Sequence, residues 1–168
     1  MLLWAIFLNL SNLTKIVLYW NTFQTNMVFI IDEGSEFDAP LDRVWKLNQA
    51  HVTDAPKIHA NGKNYKSEMI NENTVITSWE SDMQGQTVKT KMKFSIYSPV
   101  GLAIEVLEGP MAGSKFFNYY TPKGNKTGVT IVGDFKSPGM SDDQIRQAVF
   151  AFLEQAFNED STHLKTMP

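Results

Sequence analysis

The sequence predicts an α+β fold, a curved seven-stranded antiparallel sheet wrapped around a long C-terminal helix. Three observations predict it. Residues 29–47, FIIDEGSEFDAPLDRVWKL, pass from strand periodicity into a proline-led helix. Residues 63–136 are divided by short turns into six segments rich in Val, Ile, Thr, Phe and Tyr. An amphipathic helix then closes the chain.

In the opening segment, period-two alternation places Phe29, Ile31 and Phe37 on one face and Asp32, Gly34, Glu36 and Asp38 on the other, the pattern of a strand buried on one side. The period changes at Asp38-Ala39-Pro40. Proline has its φ preset and no N–H to lose, so it suits a first helical turn, and Asp38 and Asp42 put negative charge at the positive helix end. Val44, Trp45 and Leu47 supply the apolar side. His51 to Gly62, HVTDAPKIHANG, carries Pro56 and a closing Asn-Gly, which predicts a short helical or irregular connection.

Strands are predicted at 63–71, 74–83, 86–97, 101–108, 114–121 and 127–136, separated at Asn71-Glu72-Asn73, Gln84-Gly85, Ser98-Pro99, Gly109-Pro110 and Lys123-Gly124-Asn125. Connections this short join antiparallel neighbours and cannot cross back to make parallel ones, so the six form a meander. Val88, Thr90, Met92, Phe94 and Ile96 share one face, opposite a row containing Lys89, Lys91 and Lys93. Val75, Thr77, Trp79 and Met83 likewise share a face, so the sheet has a wet and a dry side.

After Pro138-Gly139, Ser141-Asp142-Asp143-Gln144 reads as a capping box, with Met140 and Ile145 placed as its hydrophobic staple. Ile145, Ala148, Val149, Phe152 and Ala156 form the core stripe of the closing helix, and Phe150, Leu153 and Phe157 widen it to roughly 200° of the circumference. So broad a stripe fits a thickly packed helix, a flank covered by another segment or partner, or a helix bordering an internal cavity.

The chain has 168 residues, 43% of them hydrophobic and 12% aromatic, enough for one sizeable core. A net charge of −3 with no Lys/Arg run gives none of the basic footprint of nucleic-acid binding. There is no cysteine, which removes disulfides, thiolate nucleophiles and cysteine-based metal sites and fits a cytoplasmic protein. Residues 1–26 differ in composition from residues 27–168, with Lys15 their one charge. They lack a signal peptide's basic start and cleavage site, and polar residues from Asn9 to Lys15 leave apolar runs shorter than the roughly 20 residues needed to cross a bilayer. Met27 is therefore expected as the natural start, with residues 1–26 as translated upstream sequence. The alternatives are a peripheral membrane anchor or a helix packed on the domain at 27–168.

Phe37-Asp38-Ala39-Pro40-Leu41-Asp42-Arg43-Val44-Trp45, Gly128-Val129-Thr130, and a closing helix with Asn158-Glu159-Asp160 and Leu164-Lys165 together resemble the START-like, or SRPBCC, superfamily of polyketide cyclase/dehydrase-like and lipid-transport proteins. The likeness spans residues 28–165. It implies the helix-grip (Bet v 1-like) fold, with an elongated apolar cavity between sheet and C-terminal helix. These motifs shape a scaffold and are nearly silent on chemistry. A fatty-acid-binding barrel would end in strands, and a cystatin-like or NTF2-like cone would lead with its helices, so both fail on element order.

Alternation nominates Phe29, Ile31, Met69, Trp79, Val88, Met92, Phe94 and Ile131 as cavity-facing ligand contacts, roofed by Val149, Phe152 and Ala156. Glu33 shares the Phe29–Ile31–Phe37 face, and a carboxylate so placed is the candidate catalytic acid or base. His51 and His59 flank Pro56 with Asp54 between them. Their spacing matches no metal-helix pattern such as His at i and i+4, so no metal and no cofactor is expected. The resemblance puts them at the cavity mouth. No Ser-His-Asp order or phosphate-cradling glycine loop is present. The expected function is a carrier for a hydrophobic or amphipathic small molecule. The alternative is a cyclase- or dehydratase-type acid–base enzyme using Glu33 with a histidine or tyrosine of the rim, and the third reading is a protein- or membrane-interaction module.

Overall fold

A computed structural model describes residues 27–83 and 85–167. The expectations for residues 1–26, as upstream sequence, anchor or packed helix, lie outside the described residues. The elements are β1 (Val28–Phe37), α1 (Leu41–Ile58), β2 (Gly62–Asn71), β3 (Thr74–Met83), β4 (Gln86–Tyr97), β5 (Gly101–Glu108), β6 (Lys115–Lys123), β7 (Lys126–Phe135) and α2 (Asp142–Thr166). The seven strands form one antiparallel sheet in the order β1-β7-β6-β5-β4-β3-β2. β2 to β7 are the predicted meander, and β1 closes it by pairing with the last strand.

Pro40, extended at φ −68° and ψ 159°, stands just ahead of α1 as its cap, its carbonyl accepting the N–H groups of Arg43 and Val44. The helix buries Val44, Leu47, Ala55 and Ile58 and carries Pro56 in its last turn, so the predicted connection is mostly a continuation of the helix. At α2 the capping box forms as predicted, with Ser141 Oγ accepting from the Gln144 N–H and Gln144 Oε1 accepting from the Ser141 N–H.

The face assigned to the first half of β1 is reversed. Val28 and Ile30 are buried, whereas Phe29 and Ile31 are 55% and 53% exposed on the outer face. The cause is a β-bulge. Asp32 pairs with Ile131 but Ser35 pairs with Val129, so Glu33 and Gly34 together oppose one residue, with Gly34 at φ +97°. One extra residue inverts the alternation, and Phe37 therefore shares the buried side with Val28 and Ile30. Its ring stacks on Phe157 of α2 at 4.7 Å.

The stripe buried by α2 is also narrower than predicted. Ile145, Val149, Leu153 and Leu164 are buried, while Phe150 and Phe152 are 43% and 41% exposed. At about 3.6 residues per turn each four-residue step from Ile145 through Val149 to Leu153 advances about 40°, which leaves Phe152 at one edge of the buried stripe and Phe150 at the other. α2 packs closely on β1 and α1, and α1 packs on β2, β6 and β7. Among the described residues no helix is long and apolar enough to cross a membrane.

Candidate functional site

The concave face of the sheet is continuous across strands. One row runs Asp32, Ile131, Asn118, Leu102 and Ile96, and the next runs Ile30, Gly133, Phe116, Ile104, Phe94, Val75 and Met69. Towards β1 the face is sealed by Ile145, Val149 and Leu153 of α2. Towards the middle strands it is looser, and Trp79, Phe94 and Ile96 remain half-buried while packing against the core.

Polar groups interrupt this apolar face under α1. The Tyr120 hydroxyl donates to Asn48 Oδ1 at 3.2 Å, and the Tyr120 ring meets Trp45 edge-on at 5.6 Å. Burial pushes the Tyr120 phenol up to about 12. Three side-chain atoms in this cluster are buried without a hydrogen-bond partner: Trp45 Nε1, Asn48 Nδ2 and Asn118 Oδ1. Such orphans are uncommon in folded proteins and each calls for a physical reason. Asp32 belongs to the same row as Asn118, and burial raises its pKa from the ordinary 3.8.

One turn along α1 from Asn48, a second cluster joins the two helices. The His51 Nδ1–H donates to the Leu47 carbonyl at 2.8 Å, and His51 Nε2 lies 3.0 Å from Asp160 Oδ1 and 3.1 Å from His59 Nε2. The His59 Nδ1–H donates to Glu159 Oε2 at 2.6 Å. Burial alone would lower the His51 pKa, but the hydrogen bond and charge of Asp160, aided by the Leu47 carbonyl, reverse this and raise it. The Tyr65 hydroxyl donates to the His59 carbonyl at 3.2 Å, and its ring stacks on Trp79. In a continued helix, residues eight apart would be separated by about 12 Å of rise. The helix instead ends at Ile58, and His59, at φ −113° and ψ 84°, brings its ring to 5.0 Å from that of His51.

The predicted site residues divide into two groups. Met92, Ile131 and Val149 are buried, and Trp79, Val88, Phe94 and Ala156 are half-buried. Met69 keeps to the inner row, 50% exposed on edge strand β2. Three are corrected. Phe29 and Ile31 face outward because of the bulge, and Phe152 lies on the open side of α2, where Leu153 takes the buried position. Glu33, the predicted acid or base, is exposed at the bulge. The carboxylate of β1 on the concave side is Asp32. Sequence reasoning missed Asn48, Asn118, Tyr120, Glu159 and Asp160 as site residues. Asp160 had a readable signal, since a carboxylate seven residues after Leu153 and four before Leu164 falls on the buried stripe of α2.

No family model and no curated protein matches the chain. Solved structures do. Ara h 8.0201 superposes at a TM-score of 0.70 with 12% identity, over 84% of this chain and 100% of that one. The Zhui aromatase/cyclase from Streptomyces sp. R1128 gives 0.67 with 13% identity, over 83% and 94%. The di-domain ARO/CYC StfQ from the steffimycin biosynthetic pathway gives 0.66 with 11% identity, over 92% of this chain and 55% of that one. At these identities the likeness is one of architecture, and the chain has the helix-grip, Bet v 1-like fold.

Proposed function

We propose that this protein binds a hydrophobic or amphipathic small molecule between the sheet and its two helices, with the polar end of the molecule seated against Trp45, Asn48 and Asn118. The observation that carries this reading is the trio of buried, unpartnered polar atoms on those residues. Two are donors and one is an acceptor, so they suit a hydroxyl or carbonyl-bearing group. Leaving a buried donor or acceptor unpaired costs about 1–3 kcal/mol each, which a bound polar group would relieve. Burying about 300 Å² of apolar ligand surface would add on the order of 7 kcal/mol before ordering costs. The fold shared with an aromatase/cyclase is compatible with such a ligand. Native mass spectrometry of freshly purified full-length protein tests the reading. A retained molecule with an apolar body and a polar end, lost in Asn118→Leu, supports it. An empty protein that also fails to bind an apolar dye overturns it.

A second reading, acid–base catalysis on the bound molecule, is favoured by the His51–Asp160 pair next to Asn48. It replaces Glu33 as the working group. Turnover of a poly-β-carbonyl compound should then fall about 100-fold or more in His51→Asn, as for loss of a general acid or base. Unchanged turnover removes the pair from the chemistry.

A further inference from the structure

We propose that His51, His59 and Asp160 form a binding site for a divalent first-row transition-metal ion, Zn²⁺ or Fe²⁺. This goes beyond the carrier reading and stands without it.

The argument starts from hydrogens. The Leu47 carbonyl and the Glu159 carboxylate only accept, so the Nδ1 atoms of His51 and His59 facing them carry the ring hydrogens. In its neutral form each ring then presents a bare lone pair at Nε2. Those lone pairs meet across 3.1 Å, with Asp160 Oδ1 at 3.0 Å from the first and 3.9 Å from the second. Three electron-rich atoms this close require a positive centre among them. A single proton on His51 Nε2 would be divided between Asp160 Oδ1 at 3.0 Å and His59 Nε2 at 3.1 Å, a weaker arrangement than a straight bond to either one. A metal ion serves all three at once.

The spacing fits one. A tetrahedral ion with bonds of about 2.0 Å, the usual Zn–N and Zn–O distance, holds its ligand atoms about 3.3 Å apart, and the three edges of 3.1, 3.0 and 3.9 Å bracket that value. All three side chains belong to the cluster whose ligand atoms lie within 4.8 Å of one another. Both rings are also oriented as metal-binding histidines are, each donating its other N–H to a carbonyl or carboxylate. Imidazole and carboxylate donors without thiolate suit Zn²⁺ or Fe²⁺ better than Mg²⁺ or Ca²⁺. The side chains of His51, His59 and Asp160 are 27%, 24% and 20% exposed, enclosed yet reachable. Three protein ligands leave a coordination position for water or for a ligand's polar group.

The test uses untagged full-length protein, stripped with chelator and titrated with Zn²⁺, with Fe²⁺ under anaerobic conditions, with Co²⁺ as a visible-absorption probe, and with Mg²⁺ as control. One Co²⁺ per chain is expected. Affinity should fall about 100-fold or more in His59→Ala and Asp160→Asn, and about tenfold in Glu159→Gln, which removes only an orienting partner. His163→Ala, in an open groove that Lys57 and Thr166 also line, should leave affinity unchanged. If variants fail to fold, ¹⁵N spectra of the wild-type imidazoles decide: Zn²⁺ should shift Nε2 of both His51 and His59. Absence of stoichiometric binding, unaltered affinity in His59→Ala, or shifts confined to His163 overturns the proposal.

Discussion

The guanidinium of Arg43 donates to the Leu164 carbonyl at 2.9 Å, and to the Met167 carbonyl at 2.6 Å, so the first turn of α1 caps the last turn of α2. Those carbonyls have no helical partner of their own, and the cation also complements the negative end of the helix dipole. The clamp fixes how α2 crosses α1, and therefore where Asp160 lies relative to His51.

Replacing Arg43 by Met keeps the apolar stem and removes the donors. Urea unfolding should show a loss of roughly 1.5–3 kcal/mol, the usual range for hydrogen bonds to a charged group. Amide exchange should quicken in the last turn of α2 before it does so around the buried Val149. A loss confined within about 0.5 kcal/mol, as at an ordinary surface position, would mean the clamp contributes nothing.

Gly34 occupies φ +97° with open space where a Cβ would stand, so its role is conformational and not one of close approach. Gly34→Ala should destabilise by about 1–2 kcal/mol through backbone strain alone. Deleting Gly34 removes the one extra residue and leaves Val28, Ile30 and Phe37 in phase on a regular strand, so its cost should be limited to the lost local bend and should not exceed that of Gly34→Ala. Equilibrium unfolding of the two variants gives the order.

Asp32 and Glu33 are neighbours with different surroundings. The folded-state pKa of Asp32 is raised by burial above the ordinary 3.8, so the folded protein holds this proton more tightly than the unfolded chain. Stability contributed by the protonated form is present at low pH and is lost as pH rises through the folded pKa. Asp32→Asn should therefore be more stable than wild type at neutral pH, with the two curves converging as pH falls towards 4. Glu33→Gln, on the exposed bulge, should stay within about 0.5 kcal/mol of wild type. Urea unfolding between acidic and neutral pH measures both.

Tyr120 should remain un-ionised far into the alkaline range, since burial pushes its phenol up to about 12. The ultraviolet titration difference between wild type and Tyr120→Phe should be absent below that region. Appearance of an extra titrating phenol near the ordinary value of about 10 would show that water reaches the hydroxyl. The same substitution removes the donor to Asn48 Oδ1 and should destabilise by roughly 1–3 kcal/mol.

The sequence by itself determined the element order, the strand limits to within about two residues at each end, the antiparallel meander and the capped closing helix. These depend on local signals: alternation, turn chemistry at Asn-Gly and Gly-Pro steps, and a Ser-x-x-Gln cap. Each acts over a few residues and survives whatever packs around it. The inner face of β3 and β4 was legible for the same reason, because Val75, Met92 and Phe94 follow an unbroken period of two. What only the tertiary structure decided was anything one residue or one crossing angle could invert. The bulge at Glu33–Gly34 turned Phe29 and Ile31 outward and brought Asp32 in. The end of α1 at Ile58 folded His59 back onto His51, and the Arg43 clamp laid α2 across α1 so that Asp160 completed the group. The His51–His59–Asp160 group depends on contacts between residues about 100 positions apart, and periodicity along a chain carries no information about which helix faces will meet.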